Sequence, residues 1–431
     1  LIKLINLMKR VQMIDKVNTF YKIFGPGILM ATAAIGGSHL VSSTQAGALF
    51  GWSLAIFILL INFFKYPFFL ANVQYTMATK KSLIEGYASL GNSWLWLFTI
   101  LAVIAAVVNT AAVSMFAASL LGYFIPIKLT INILSFIIIF ACILILIAGK
   151  YNLLNNVSKI IMITLSIATV VAVVMAVTKD VNSALADDFI SPSAWTIASL
   201  GFIVILTGWM PAPIEISSIG SIWLKNQIKQ TNINAKNALL DFNVGFIVTA
   251  ILALFFLALG ALVLHGSAYE FKDGIAFSHQ LVTMYSTVIG DWSRLLIAFI
   301  AFACMFGTSI TVIDGYGRAV AEAFSLIRKN RSASNRSVAI WTIFISIIGF
   351  LIIIYFASSM RTMLDFAMIL SFTTTPIFAF LNYKLVRSTK LPKELQNGMF
   401  LNILSICGLI FLFGFLILFI IYRWFPFLIG L

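Results

Sequence analysis

Gly208-Trp209-Met210-Pro211-Ala212-Pro213 stands inside an apolar stretch that runs roughly from residue 195 to residue 223. Proline removes a backbone donor and its ring clashes with the turn before it, so a helix arriving at Gly208 cannot run regularly past Pro213. A second interruption, Gly36-Gly37-Ser38-His39, falls in mid-course of another apolar stretch, roughly 25–48. Paired glycines weaken helical preference. Both stretches therefore read as membrane helices that unwind near their centres, and unwound backbone survives in a bilayer only where it is packed in protein or lines a cavity.

The rest of the chain supplies the bilayer. Of 431 residues, 61% are hydrophobic and only 10% charged, and the mean hydropathy is +1.05, a balance that excludes a water-soluble domain of this length. Apolar stretches of about 20 residues are long enough to cross a hydrocarbon core of roughly 30 Å as helices. They recur at roughly 25–48, 51–78, 93–124, 128–149, 152–178, 195–223, 240–265, 292–325, 337–358, 361–386 and 399–424. The fold class expected is all-α and polytopic, with about eleven transmembrane helices. Runs such as Ile133 to Ile147 lack the alternation of a membrane β-barrel.

The two interruptions hold matching places, the first helix of each set of five. This is the sequence signature of a secondary transporter built from inverted repeats, with its substrate site at the midplane between them. The alternative is a pair of packing kinks, because Gly and Pro are common in membrane helices. The repeat reading divides the chain into an N-terminal arm (1–24), repeat one (25–178), repeat two (195–386) and an additional helix (399–424).

The formal charge of +14 does not mark a nucleic-acid binder, since the basic residues sit in short clusters between apolar runs. They set topology instead. With the N-terminus inside, twenty Lys and Arg fall on cytoplasmic segments, six fall outside, and Lys65 and Arg318 lie within spans. Cytoplasmic loops are enriched in these residues, which gives a multi-pass protein of the cell (inner) membrane with a cytoplasmic N-terminus and an external C-terminus. The arm, with Lys3, Lys9, Arg10, Lys16 and Lys22, lacks a continuous apolar core and a cleavage site and reads as a cytoplasmic amphipathic segment. Cys142, Cys304 and Cys407 fall in apolar runs without metal-ligand spacing and are expected to be buried small hydrophobes.

Particular residues resemble the Nramp family of divalent metal transporters over nearly the whole chain. Gly25-Pro26-Gly27 opens the first span as in that family. The tract from Ala46-Gly47-Ala48 through Gly51-Trp52 resembles its AGAxxGY element, Thr79-Lys80-Lys81-Ser82-Leu83 its TGKxL loop, and Met210-Pro211 the first two residues of its MPH motif. The resemblance implies the inverted-repeat (LeuT-like) fold of the amino-acid, polyamine and cation transporters. It also implies proton-coupled symport of manganese or iron.

The departures are as specific as the matches. Where the family has DPGN, this chain has Gly36-Gly37-Ser38-His39, so the metal-binding aspartate falls on Gly36 and the asparagine on His39. Met210 keeps the thioether position, Thr207 takes the place of the residue donating a backbone carbonyl, and Ala212 replaces the motif histidine. Family members carry carboxylates in the third helix for proton passage; the third span here has Asn109 instead. A divalent ion desolvated at mid-membrane needs compensating negative charge. Gly36 offers only a carbonyl, while imidazole at His39 with the sulfur of Met210 would suit a softer transition metal, held weakly.

The substrate-binding set expected is thus Gly36, Ser38, His39, Thr207 and Met210, with His39 and Met210 as metal ligands. The ionisable residues inside spans are Lys65, Glu215, Asp241, Asp314, Arg318 and Asp365. Asp314 and Arg318 are four apart, which suits a local salt bridge. Glu215 either compensates a cation or caps freed amides, and His39 either binds cargo or hydrogen-bonds the unwound backbone. Lys65 is expected to snorkel and Asp241 to need no transport role. Glu215, Asp314 and Asp365 are candidates for coupling or charge compensation. Trp209 either walls the cavity or simply packs.

Two cargoes remain: a divalent metal ion, with protons as a possible partner, or a small organic solute whose polar ends the two breaks would bind. A metal transporter should bring Glu215, Asp314 or Asp365 beside His39 and Met210. A filter repeat or signalling domain is missing, so a channel or sensor is disfavoured, and no GxxxxGK[ST] motif points to ATP. No catalytic set, cofactor, nucleic acid or protein partner is expected; the lipid bilayer is the surrounding medium.

Overall fold

The computed structural model describes residues 25–148, 151–178, 189–230, 233–266, 272–330 and 332–425. The expectations made for the arm and for the charges of 149–150, 179–188, 267–271 and 331 lie outside the described residues. Each of the eleven apolar stretches forms helix. The first span is two pieces, α1 (Pro26–Ala34) and α2 (Thr44–Phe50), separated by Ile35-Gly36-Gly37 and a π-helical turn over Ser38–Ser43. Then come α3 (Ala55–Thr79), a short α4 (Leu83–Leu90), α5 (Asn92–Gly122), α6 (Ile131–Ile147) and α7 (Tyr151–Thr178). The sixth span is again two pieces, α8 (Leu200–Trp209) and α9 (Ile216–Gln230), followed by α10 (Ala235–Val263). The segment between the seventh and eighth apolar stretches contains a helix, α11 (Gly274–Ile289). The chain ends with α12 (Arg294–Ile327), α13 (Asn335–Tyr355), α14 (Met360–Ser388) and α15 (Met399–Trp424).

Local chemistry sets several of these boundaries. Pro26 stands in the first turn of α1, where its missing N–H costs nothing. After α3, Lys80 turns left-handed at φ 59°. A capping box then starts α4: Ser82 Oγ accepts from Glu85 N at 3.2 Å, and Glu85 Oε2 accepts from Ser82 N at 2.7 Å. The sixth span lies several residues further along than the apolar run suggested, because the second piece continues through polar residues to Gln230.

Packing separates core from rim. The apolar windows of α5 and α12 are 72% buried, those of α13 and α15 only 28%, so the former pair runs through the centre and the latter pair faces lipid. Neighbour relations come in pairs that exchange between the two sets of five helices. The first span packs on α10 as the sixth packs on α3, α5 packs on α14 as α12 packs on α7, and α5 and α12 pack on each other. That exchange is the mark of an inverted repeat, and it brings both broken spans to the middle of the molecule.

Candidate transport site at the two broken helices

Breaking a helix frees carbonyls that need donors. At the first break, α12 supplies two: Cys304 Sγ donates to Ile35 O at 3.0 Å and Thr308 Oγ1 to Thr32 O at 3.4 Å. Cys142 and Cys304 are buried as expected, whereas Cys407 is exposed on α15; the Cys304 thiol also serves the unwound backbone. Ser38 Oγ donates to Ala34 O at 2.6 Å. The entry to this span is held by Asp241 of α10, whose carboxylate accepts from the amides of Gly27 (2.7 Å), Gly25 (3.2 Å) and Ile28 (3.3 Å). An anion on the exposed amides of a helix start is favoured by hydrogen bonding and by the helix dipole together.

At the second break the donor is Lys65. Its Nζ donates to Thr207 O at 2.6 Å and stands 3.4 Å from both Gly208 O and Ala212 O, with the residue 0% exposed. The expectation that Lys65 snorkels is therefore corrected. It lies near the middle of α3, too far from either surface for its four-carbon stem to reach water. The ammonium instead takes carbonyls that the end of α8 leaves unpaired, where the helix dipole favours positive charge.

The two breaks meet at a cavity of about 30 Å³ lined by Gly37, Ser38, Asn109, Trp209, Pro211 and Tyr316, among others. Trp209 walls it: Nε1 donates to Asn109 Oδ1 and to Ser371 Oγ, each at 3.1 Å. Asn109 Nδ2 donates to the Tyr316 hydroxyl at 2.9 Å, and that hydroxyl donates to Glu215 Oε1 at 3.1 Å. One polar chain thus runs from span ten through spans three and eight to the far side of the second break. The cavity has room for about one water molecule, so cargo larger than that needs its walls to move. A larger cleft of about 760 Å³ lies between α3, α14 and the segment leading to α15. It contains no residue of either break, so its size does not make it the site.

The predicted residues distribute as follows. Ser38 lines the cavity. His39 is 0% exposed and directs its ring away from it: Nε2 faces Thr249 O at 2.9 Å, and Nδ1 is 2.7 Å from Ser38 Oγ and 3.1 Å from Ala34 O. Met210 packs with Ala46, Phe50, Leu206 and Leu257 in an apolar cluster, and its peptide bond to Pro211 is cis. The Thr207 carbonyl is held by Lys65. At Gly36 a β-carbon would sit 3.0 Å from Thr308 Oγ1 and 3.5 Å from Met305 Sδ, so a side chain there needs its neighbours to move.

Of the three candidate carboxylates, only Glu215 lies at a break. It is 2% exposed, its Oε2 has no hydrogen-bond partner, and it faces Lys65 through space. Asp314 is held by Arg318 Nε at 2.9 and 2.8 Å, as the spacing of four suggested. Asp365 lies near the N-terminal end of α14, among the charges of Arg361 and Asp273. Among the described residues, no three of His, Cys, Asp and Glu gather where they could hold a metal ion. Lys65, Tyr316, Thr308 and Ser371 were missed as site residues. The signal available for Lys65 was its mid-span position.

On one side of the cavity a polar latch joins α9 to α4 and α12. Lys225 of α9 contacts Glu85 of α4 at 2.6 Å and Glu322 of α12 at 3.2 Å, Ser82 Oγ donates to Glu322 Oε1 at 2.9 Å, and Ser221 Oγ accepts from Leu83 N at 2.9 Å. A layer above it, Asn382 of α14 donates to Phe68 O at 2.8 Å and Ser217 Oγ at 2.9 Å, and accepts from Tyr87.

Two inverted sets of helices among the described residues, with paired breaks meeting at a central cavity, define the fold class of the LeuT-type secondary transporters. The chain matches the family described as natural resistance-associated macrophage protein-like (Nramp) over residues 27–422, and it belongs to that family. An uncharacterised protein of Pasteurella multocida is 48% identical over 416 residues, covering 95% of this chain and 94% of the relative. A mutant of the Eremococcus coleocola manganese transporter superposes with a TM-score of 0.67 at 14% identity, over 92% of this chain and 85% of that one. MhsT in complex with L-phenylalanine does so with a TM-score of 0.61 at 12% identity, over 91% and 98%. These likenesses carry the fold.

Proposed function

We propose that this chain is a secondary-active transporter that moves its cargo by alternating access around the breaks in spans one and six. The carrying observation is the convergence of both breaks on one small cavity, with a hydrogen-bonded latch on the side that the charge distribution assigns to the cytoplasm. Membership of the Nramp family and the likeness to a manganese transporter support a divalent metal ion of the manganese and iron class as cargo. On that reading the site is altered. Its donors are neutral, from Ser38, His39 and Met210, and the ring of His39 and the thioether of Met210 must turn toward the cavity as cargo enters. Glu215 supplies the negative charge, and proton coupling runs through it, since Tyr316 joins it to the cavity.

A second reading, a small organic solute, is favoured by one observation. The carbonyl of Thr207 is already neutralised by an ammonium, and the cavity wall of Trp209, Pro211, Pro213 and Tyr316 suits an uncharged or zwitterionic body better than a bare dication. The two readings part on uptake into proteoliposomes of manganese, cadmium and magnesium, with and without an inward proton gradient. Saturable uptake of a metal, reduced by His39→Ala and Met210→Ala, supports the first. Absence of all metal uptake from folded protein overturns it and leaves the second.

A further inference from the structure

Lys65 does something at the second break that neither cargo explains. Three carbonyl oxygens, from Thr207, Gly208 and Ala212, converge on its Nζ. Glu215, buried just past the break, interacts electrostatically with this ammonium without forming an ion pair with it, and keeps one carboxylate oxygen without a hydrogen-bond partner. Carbonyls from two sides of an unwound helix, with a carboxylate nearby, are the oxygen donors that hard cations take. The unwound carbonyls and half-helix ends of inverted-repeat transporters serve this purpose. An ammonium ion has three donors, a single positive charge and a size close to that of a potassium ion, so it satisfies such a cradle where an alkali cation would.

We propose that Lys65 is a tethered stand-in for a monovalent cation: the break in span six is an alkali-cation cradle whose occupant is covalently part of the chain. The consequence is that the protein needs no sodium or potassium ion at this place to hold the second break together. The proposal concerns the resident charge of the break and is independent of which cargo is carried. It stands or falls apart from the uptake experiment above.

The test uses the full-length protein purified in detergent, with Lys65→Ala to empty the cradle and Lys65→Met as a second variant that keeps the stem. Melting temperatures are compared in sodium, potassium and choline chloride at equal ionic strength. The parent is expected to melt alike in all three. Lys65→Ala should melt lower than the parent in choline and recover by several degrees, saturably, in sodium or potassium, as binding to the native state requires. Adding Glu215→Gln to Lys65→Ala should weaken that recovery at least tenfold in apparent affinity. The proposal is overturned if both Lys65 variants fold yet melt alike in every salt, or if both fail to fold in all of them, since either result means that no ion from solution replaces the ammonium. It is also overturned if the parent responds to sodium or potassium as strongly as the variant does.

Discussion

Trp209 packs the six-membered ring of its indole against Gly37 so closely that a β-carbon at Gly37 would overlap it. The first break therefore needs glycine for the sake of the second. The same ring is fixed on its other edge by Asn109 and Ser371, so it has little freedom to retreat.

Gly37→Ala is expected to destabilise the folded state by about 1–3 kcal/mol, the range for overpacking a filled interior. Trp209→Phe, which shortens the ring system, should relieve part of that cost. Thermal unfolding of the two single variants and the double variant forms a cycle. Additive losses would mean that the ring does not depend on Gly37.

Asp241 holds the start of α1 by three amides. Asp241→Ala leaves these donors buried and unpaired, at a cost of about 1–3 kcal/mol, and Asp241→Asn should lose less because one carbonyl oxygen remains. Melting temperatures of the two variants in detergent check the order. Equal melting for Asp241→Ala and the parent would refute the cap.

The latch joins α9 to α4 and α12 through Lys225. Lys225→Met should raise hydrogen exchange in peptides covering Leu83–Leu90 while leaving those covering Asn335–Tyr355 unchanged. Protection that stays equal in both regions would show that the ion pairs are not what shuts this side.

Restoring the family's aspartate should not by itself create a metal site. Gly36→Asp meets Thr308 and Met305, and the Thr207 carbonyl remains on Lys65. Manganese uptake by Gly36→Asp is expected at the level of the parent. A tenfold increase from this substitution alone would contradict the geometry described for Gly36 and Lys65.

Much of this architecture was legible because the bilayer leaves few choices. Length, apolar composition and the positions of Gly36-Gly37 and Pro211-Pro213 were enough for the span count and the breaks, since only helices satisfy their own backbone in lipid. Asp314 and Arg318 could be paired from spacing alone. What could not be read was direction and distance across helices. Nothing local says that the ring of His39 turns to Thr249, which is 210 positions away, or that Met210 points into an apolar cluster. Lys65 was misjudged for a different reason. Snorkelling is the usual fate of a lysine in a span, and only the freed carbonyls of another helix, 142 positions along the chain, override it. α11 was missed because its 16 residues mix apolar and polar types and read as a loop.

Lys65 and Glu215 also have an electrical consequence. α3 packs against α9 and α10, and α10 against α1 and α2, so lysine and glutamate ride on the same group of helices. Their formal charges cancel whether both are ionised or a proton has passed from one to the other. In alternating access this pair then adds no net charge to the reorientation of the empty carrier, whereas each unbalanced elementary charge would be worth about 2.3 kcal/mol per 100 mV. Membrane voltage therefore has no grip on this pair, and removing one partner alone would give the moving helices a charge for the field to act on.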